Sequence, residues 1–261
     1  MLIVKELTDD FIPLVEKFLY KDPFINAYAI YDLHYLRHRA KFFICLEDYE
    51  LKGLLLDFLS RTGMHAIWLW GGEEAVEKLL DVVSADKIMF HVLPESEHII
   101  KRKFAVNARY DMDFMLLRRG EERLYINHEI RQLSLTDAIH LASLRRDKPT
   151  DEDVEEAKNF LKELPFYGIF KDDKLVSVAC VQVKIPEIWI IGGFYTKPEY
   201  RNRGCATSLA SFLVREALKS TEHVGLHVRA DNYPAKHVYE KVGFKTYGRM
   251  CWLTYNVNIV P

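Results

Sequence analysis

Residues 201 to 207 read Arg201-Asn202-Arg203-Gly204-Cys205-Ala206-Thr207. Before them stand Tyr195-Thr196-Lys197-Pro198-Glu199-Tyr200, and after them Leu209, Phe212, Leu213 and Ala217 recur at helical spacing. The preceding run, Ile188-Trp189-Ile190-Ile191-Gly192-Gly193-Phe194, is short, apolar and rich in β-branched and aromatic residues, which predicts a buried strand that Pro198 ends. The unit is strand, tight loop, helix. Such a loop turns free backbone N–H groups and the positive end of a helix dipole toward one point, and that chemistry suits a phosphate. Gly204 lets the backbone come close, Ala206 keeps the first turn uncrowded, and Arg201 and Arg203 add charge. The Gly-Lys-Ser/Thr of a Walker loop is missing, and one glycine stands where a dinucleotide fingerprint needs three. A pyrophosphate cradle is the expectation.

A second constellation follows at a fixed distance. The strand pattern Val224-Gly225-Leu226-His227-Val228 leads into Asn232, Ala235, Tyr239 and Gly243-Phe244, spaced three, four and four residues apart. Together the two stretches resemble the GNAT superfamily of N-acetyltransferases: Arg201, Gly204 and Ala206 match its coenzyme-A loop, Arg/Gln-x-x-Gly-x-Gly/Ala, and the Asn232 to Phe244 pattern is similar to its second signature. The similarity covers roughly residues 127 to 258, and Phe-Tyr-Thr-Lys-Pro-Glu-Tyr-Arg leans toward the branch that includes glycine N-acyltransferases. The resemblance implies an α/β (α+β) fold with a mixed central sheet in which two parallel strands, here 190–196 and 224–228, splay apart around the thioester arm of acetyl-CoA.

The elements that would position these residues fill a chain of 261 residues, enough for two ordinary domains. Apolar residues make up 49% and charged ones 28%, the balance of a globular protein, and a net charge of −2 argues against a general nucleic-acid or membrane-surface role. Cys45, Cys180, Cys205 and Cys251 are isolated, so neither a disulfide framework nor a metal site is expected. No apolar run approaches membrane-spanning length and the first residues read as a strand and not a signal peptide, which predicts a cytoplasmic protein.

In the first half, Asp9 or Asp10 is placed to cap a helix carrying Phe11, Leu14, Val15 and Leu19, and a second helical stretch runs through Ala27, Ile30, Leu33 and Leu36. Strand patterns at 41–46, 51–59, 65–70, 87–92 and 110–117 alternate with helical ones after Gly71-Gly72 and near 95–103, implying an α/β unit whose element order is compatible with a degenerate copy of the second half. Gly71-Gly72 is followed by Glu73-Glu74, which would repel phosphate, so a plain helix start is expected there. The polar break Arg118-Arg119-Gly120-Glu121-Glu122-Arg123 is the expected linker, dividing an N-terminal domain 1–122 from a catalytic domain 123–261. In the second half a strand at 130–133, a helix from Thr136, a helix capped by Thr150 and Asp153, a hairpin of 166–170 with 175–183, and two closing strands at 245–249 and 251–257 complete the pattern.

What the resemblance implies chemically is transfer of an acetyl or other short acyl group from coenzyme A to the primary amine of a small molecule or peptide. Phe194, Tyr195 and Thr196 would bind the pantetheine arm as another strand does, and Arg201, Asn202, Arg203, Gly204, Cys205, Ala206 and Thr207 would hold the pyrophosphate. Gly192-Gly193 would permit a bulge that aims an N–H near Phe194 at the oxyanion, or would serve close packing. Tyr239 is the expected general acid. Asn232 either bonds the cofactor arm or caps the following helix, and Ala235 is small where that helix would pass the cofactor. Glu187, His223 and His227 are candidates for taking the amine proton, but none is assigned. Cys205 sits where a helix terminus could lower a thiol pKa, without a visible triad. The first half would wall the acceptor site or form a homodimer surface. A non-catalytic acyl-CoA sensor is the competing reading.

Overall fold

The computed structural model describes residues 1–146 and 148–257; the end of the expected second domain, 258–261, lies outside the described residues. Two runs of elements follow one another in the same order: strand, two helices, three strands, helix, strand, helix, strand. The first run is β1 (Ile3–Glu6), α1 (Ile12–Leu19), α2 (Ala27–Tyr35), β2 (Ala40–Glu47), β3 (Glu50–Leu59), β4 (His65–Gly71), α3 (Glu73–Leu80), β5 (Lys87–Val92), α4 (Glu97–Lys103) and β6 (Ala108–Arg118). The second is β7 (Arg131–Gln132), α5 (Ala138–Ala142), α6 (Asp151–Glu163), β8 (Phe166–Lys171), β9 (Lys174–Lys184), β10 (Trp189–Thr196), α7 (Cys205–Ala217), β11 (His223–Arg229), α8 (Tyr233–Val242) and β12 (Lys245–Asn256).

By packing, the chain divides into a unit of Met1–Phe114, Arg229–Asp231 and the residues from Tyr247, and a unit of Met115–Val228 and Asn232–Thr246. The polar stretch Arg118 to Arg123 lies, by this packing, with the second unit. Arg119 Nη2 donates to Leu218 O at 2.5 Å, and Arg123 N donates to Val242 O at 2.8 Å. Polarity marks a surface segment; it does not mark a free one. The two closing strands expected near the end are one strand, β12, whose residues Cys251 to Asn256 pair antiparallel with Val92 to Lys87 of β5. Nor do Asp9 and Asp10 cap a helix: they lie inside a short 3₁₀ turn whose flanking residue is Thr8.

In the first unit β1 to β4 are antiparallel neighbours and β4 runs parallel to β5 through four paired positions, His65↔Ile88 to Trp68↔His91. The sheet is therefore mixed, and α3 starts at Glu73 directly after Gly72. Glu73 is spent on Arg102, 2.6 Å away, so this helix start offers acids where a phosphate would need donors.

In the second unit β7, β8, β9 and β10 are antiparallel neighbours and β10 is parallel to β11. One face is buried against α7 and α8 by Val176, Ala179, Val181, Trp189, Ile191, Val224, Leu226 and Val228. The other is covered by α5 and α6 through Leu133, Leu144, Phe166, Val178 and Cys180. Alternation along β9 feeds both layers, as the strand period demands. The capping box of α6 forms: Thr150 Oγ1 accepts from Asp153 N, and Asp153 Oδ2 accepts from Thr150 N. Before α5, Arg131 donates to both oxygens of Asp137 at 2.9 and 2.6 Å and holds that carboxyl below its ordinary range.

Helix α8 ends at Gly243, whose φ of +119° few L side chains adopt and whose Cβ, if present, would stand 2.3 Å from Glu121 O. Gly243→Ala is expected to lower stability by roughly 2–4 kcal/mol, a thermal shift of about 5–15 °C, because strain and a backbone clash add. Thermal unfolding measures it; a melting temperature equal to wild type would mean that the helix end relaxes freely.

Candidate active site

Strand β10 pairs with β11 only at Trp189↔Val224 and Ile190↔Gly225. Beyond Ile190 the edge of β10 that faces β11 has no paired strand, while its other edge stays joined to β9 at Tyr195↔Val178 and Thr196↔Ser177. The two parallel strands thus diverge toward their C-terminal ends. The pairing of β10 with β9 shifts between Gly192 and Tyr195, a bulge that puts Gly193 at φ +64°. Ser177 Oγ bonds Tyr195 O at 3.1 Å and Thr196 Oγ1 at 2.7 Å, which fixes the strand just past the bulge. Gly192 leaves room for the Gln182 carboxamide: a Cβ there would stand 2.3 Å from Gln182 Oε1 and would push that side chain aside.

The chain leaves β10 through a 3₁₀ turn at Pro198–Tyr200 and reaches α7 through Asn202 (φ +58°) and Gly204 (φ +79°), two left-handed residues that reverse it. The first bond into the helix is Ser208 N to Gly204 O at 2.9 Å. The N–H groups of Cys205, Ala206 and Thr207 therefore have no partner within the helix. Arg201 Nε donates to Thr196 O at 3.2 Å, and the Arg203 guanidinium lies 5.4 Å from the Tyr200 ring centre, so both cations are braced on the loop. His128 Nε2 donates to Arg203 O at 2.9 Å, a brace that nothing local in the sequence signalled. The loop thus brings together backbone donors, a helix terminus and two exposed arginines, a combination whose chemistry suits an anion.

Cys205 lies in that first turn but is buried, with Sγ 3.8 Å from His128 Nε2. That nitrogen carries its proton toward Arg203 O and is not free to act as a base. Burial raises the thiol pKa, so desolvation outweighs any lowering by the helix terminus, in keeping with the lack of a triad around Cys205.

Helix α8 is started by Asn232, whose Oδ1 accepts from Ala235 N at 3.2 Å. Asn232 caps this helix, the second of its two expected roles, and half-buried Ala235 packs on the core beside it. One helical turn later Tyr239 is buried, its ring edge-on to Phe194 at 5.3 Å and Phe244 at 6.1 Å. Phe194 is on β10 immediately after the bulge, so Tyr239 is brought to the divergent strands. Burial raises its pKa, and the phenol remains protonated through the neutral range.

The three candidates for a base differ. His223 Nδ1 is 3.2 Å from Glu187 O, and Glu187 Oε2 is buried without a hydrogen-bond partner among the described residues. His227 is on β11, and desolvation pulls it down to about 4. Its sign is definite: between pH 6.5 and 4 the unfolded chain takes a proton that the folded chain refuses, so stability is complete above pH 6.5 and falls as pH drops toward 4. His227→Gln should flatten acid-side unfolding over that window, by an amount of order 3 kcal/mol. Identical pH profiles for the two proteins would show that His227 does not titrate this way.

On the α5/α6 face, a cavity of about 440 Å³ is bounded by Leu141, Leu144, Phe160, Phe166, Val178, Gly193 and Tyr195, with Arg145, Arg146, Asp153 and Glu156 also in its wall. It opens on the bulge of β10. No local stretch of sequence signals it, since its walls come from five separate elements. Another cavity, of about 500 Å³, lies in the first unit near Arg37, His38, Lys41 and Arg61 and contains none of these strand and loop features. Among the described residues no group of His, Cys, Asp and Glu could hold a metal ion, and no helix is long and apolar enough to cross a membrane.

Residues 127–244 match the family described as acetyltransferase (GNAT) family. Among curated proteins no sequence matches this chain. Solved structures similar over nearly the whole length include a Drosophila protein (14% identity, TM-score 0.78, covering 98% of this chain and 99% of that one). A tandem GNAT protein from the clavulanic acid biosynthesis pathway is similar at 12% identity and TM-score 0.67, covering 100% of both chains. So is an acetyltransferase from the GNAT family of Colwellia psychrerythraea, at 12% identity and TM-score 0.61, over 97% of this chain and 100% of that one. At these identities the likeness establishes the fold. The mixed α/β fold, with a splayed sheet in the second half and an N-terminal unit of the same element order, is that of a tandem arrangement.

Proposed function

We propose, from the premise that residues 127–244 are a domain of the GNAT acetyltransferase family, that this chain transfers an acetyl or other short acyl group from coenzyme A to a primary amine by direct attack. The observation that carries the reading is the divergence of β10 from β11 beyond Ile190, with the donor-rich start of α7 following the same strand. The unpaired edge at Phe194, Tyr195 and Thr196 would pair with the amides of the pantetheine arm, and the N–H groups of Cys205, Ala206 and Thr207, with Arg201 and Arg203, would take the pyrophosphate. Asn202 and Gly204 shape that turn. No metal is required by this chemistry.

In the reaction the amine nitrogen attacks the thioester carbonyl carbon, the C–S bond breaks, the departing sulfur takes the Tyr239 hydroxyl proton, and the amine proton passes to water, from which the phenolate is reprotonated. An N–H at the bulge near Phe194 would stabilise the oxyanion. The cavity beside Gly193 favours a small molecule over a protein surface as acceptor. We place the enzyme in the cytoplasm, with 1–122 as a non-catalytic domain, 123–261 as the catalytic one, and the first half available for a homodimer surface. The sensor reading has one observation in its favour: His227, which burial pulls down to about 4, is a feeble base. Acetyl-CoA incubated with an amine panel, with detection of free thiol and of product mass, separates the two. Thiol release coupled to N-acyl product supports the enzyme; tight binding without turnover on any amine supports the sensor.

A further inference from the structure

The cavity on the α5/α6 face has a lining more selective than a general amine acceptor needs. Its floor is apolar, from Leu141, Leu144, Phe166 and Val178, with the half-exposed ring of Phe160 at its mouth. At about 440 Å³ it is the size of a small-molecule site and far larger than an amino group requires. Gly193 and Tyr195 of β10 form one wall, so whatever enters ends at the bulge. Four charged residues border it, and they are not equivalent. Arg146 is neutralised by Asp153, Nη1 standing 3.1 Å from each carboxylate oxygen. Glu156 projects from the exposed side of α6 and would repel an anion placed there. Arg145 lies over the Tyr195 ring at 5.0 Å, and no carboxylate among the described residues pairs with it. A guanidinium braced flat on an aromatic ring keeps its N–H fork for a planar acceptor.

Resting on the acyl-transfer reading above, we propose that the acceptor is a free amino acid with an apolar side chain. Its amine meets the acyl carbon at Gly193, its carboxylate is held by Arg145 above Tyr195, and its side chain fills the space between Leu141, Leu144, Phe160 and Phe166. Tyr195, under Arg145, is two residues from Gly193 on the same strand, so the guanidinium and the bulge border one cavity. The bonds made and broken are those of amide formation already given, and no further reactant is needed.

The test compares acceptors that differ only in the carboxylate: leucine against 3-methylbutylamine, and phenylalanine against phenethylamine, each with acetyl-CoA and with wild type, Arg145→Gln and Phe160→Ala. Because the same amine pair is used for each enzyme, differences in amine basicity cancel in the ratio of kcat/KM values. Arg145→Gln is expected to lower the amino-acid to amine ratio by about 10- to 100-fold, through KM, as loss of one charge-assisted contact implies. Phe160→Ala, which removes a half-exposed ring and spares the core, should raise KM for phenylalanine more than for alanine. A ratio unmoved by Arg145→Gln, or turnover confined to diamines and lysine peptides in a wider panel, overturns the amino-acid assignment and leaves acyl transfer standing. No thiol release with any amine removes acyl transfer itself, and the acceptor assignment with it.

Discussion

Gly204→Glu should reduce acetyl-CoA binding by at least about 100-fold in a calorimetric titration while the protein stays folded. The residue sits at φ +79° at the head of α7, and a Cβ built there would meet nothing nearer than His128 Nε2 at 4.0 Å. Room exists, so the fold cost is the left-handed strain alone, about 1–2 kcal/mol. The loss of binding has another origin. A carboxylate at this point faces the N–H groups of Cys205, Ala206 and Thr207, competes for them, and opposes the pyrophosphate where the helix dipole and Arg201 and Arg203 favour it. Gly204→Asn separates the causes, since asparagine tolerates the left-handed region without charge and should lose far less affinity. Thermal unfolding within a few degrees of wild type would confirm that the fold persists. Equal affinity in wild type and Gly204→Glu would move the pyrophosphate elsewhere.

That loop was legible because its chemistry is local. Pro198, Asn202, Gly204 and the arginines are neighbours in sequence, and each has few reasons to be there other than a reversal and an anion. Element types were legible for the same reason: β2 to β5, the helix of Tyr233–Val242 and the capping box at Thr150 follow from period and cap chemistry. Local polarity is a poorer guide to tertiary state. The charged stretch Arg118 to Arg123 is a candidate linker by its polarity, and its backbone is pinned to Val242 while its Glu121 carbonyl fills the space that Gly243 leaves. A helix terminus could lower the Cys205 thiol pKa, but burial, which no local pattern reveals, raises it.

The cavity beside Gly193 shows a third kind of limit. Leu141, Phe160, Val178 and Gly193 are separated by long stretches of chain, and an arginine such as Arg145 in a polar connection carries no sequence signal of a site. The repeated element order of the two halves was open to inference only as an order, because the residues themselves show no repeat. The halves differ most after their fourth strands. After β4 the chain enters α3 at once through Gly72 and Glu73, and β4 stays paired with β5 as far as Trp68↔His91, where the two rings stack at 4.4 Å. After β10 the strands part and an anion loop intervenes. One topology serves both halves; only the second has the divergent strand edge and the donors.

Tyr239→Phe should lower kcat by about 10²–10³-fold and change the acetyl-CoA dissociation constant by less than about threefold. The ring is held by Phe194 and Phe244, contacts that phenylalanine keeps, so the substitution deletes one hydroxyl and little packing. Catalysis suffers because the leaving thiolate would otherwise have to find its proton in water, away from a buried site. Two pH experiments separate this role from a structural one. Burial places the Tyr239 pKa above its ordinary 10, so an acid supplied by this phenol gives no alkaline fall in kcat below about pH 10, and the acid-side limb belongs to the amine. The same shift makes the folded state favour the neutral phenol: stability is complete below pH 10 and is lost above it as the unfolded chain ionises first, a loss that Tyr239→Phe removes. If turnover is unchanged while the alkaline stability loss disappears, the hydroxyl is buried as expected but is not the acid, and the proton must come to sulfur from water.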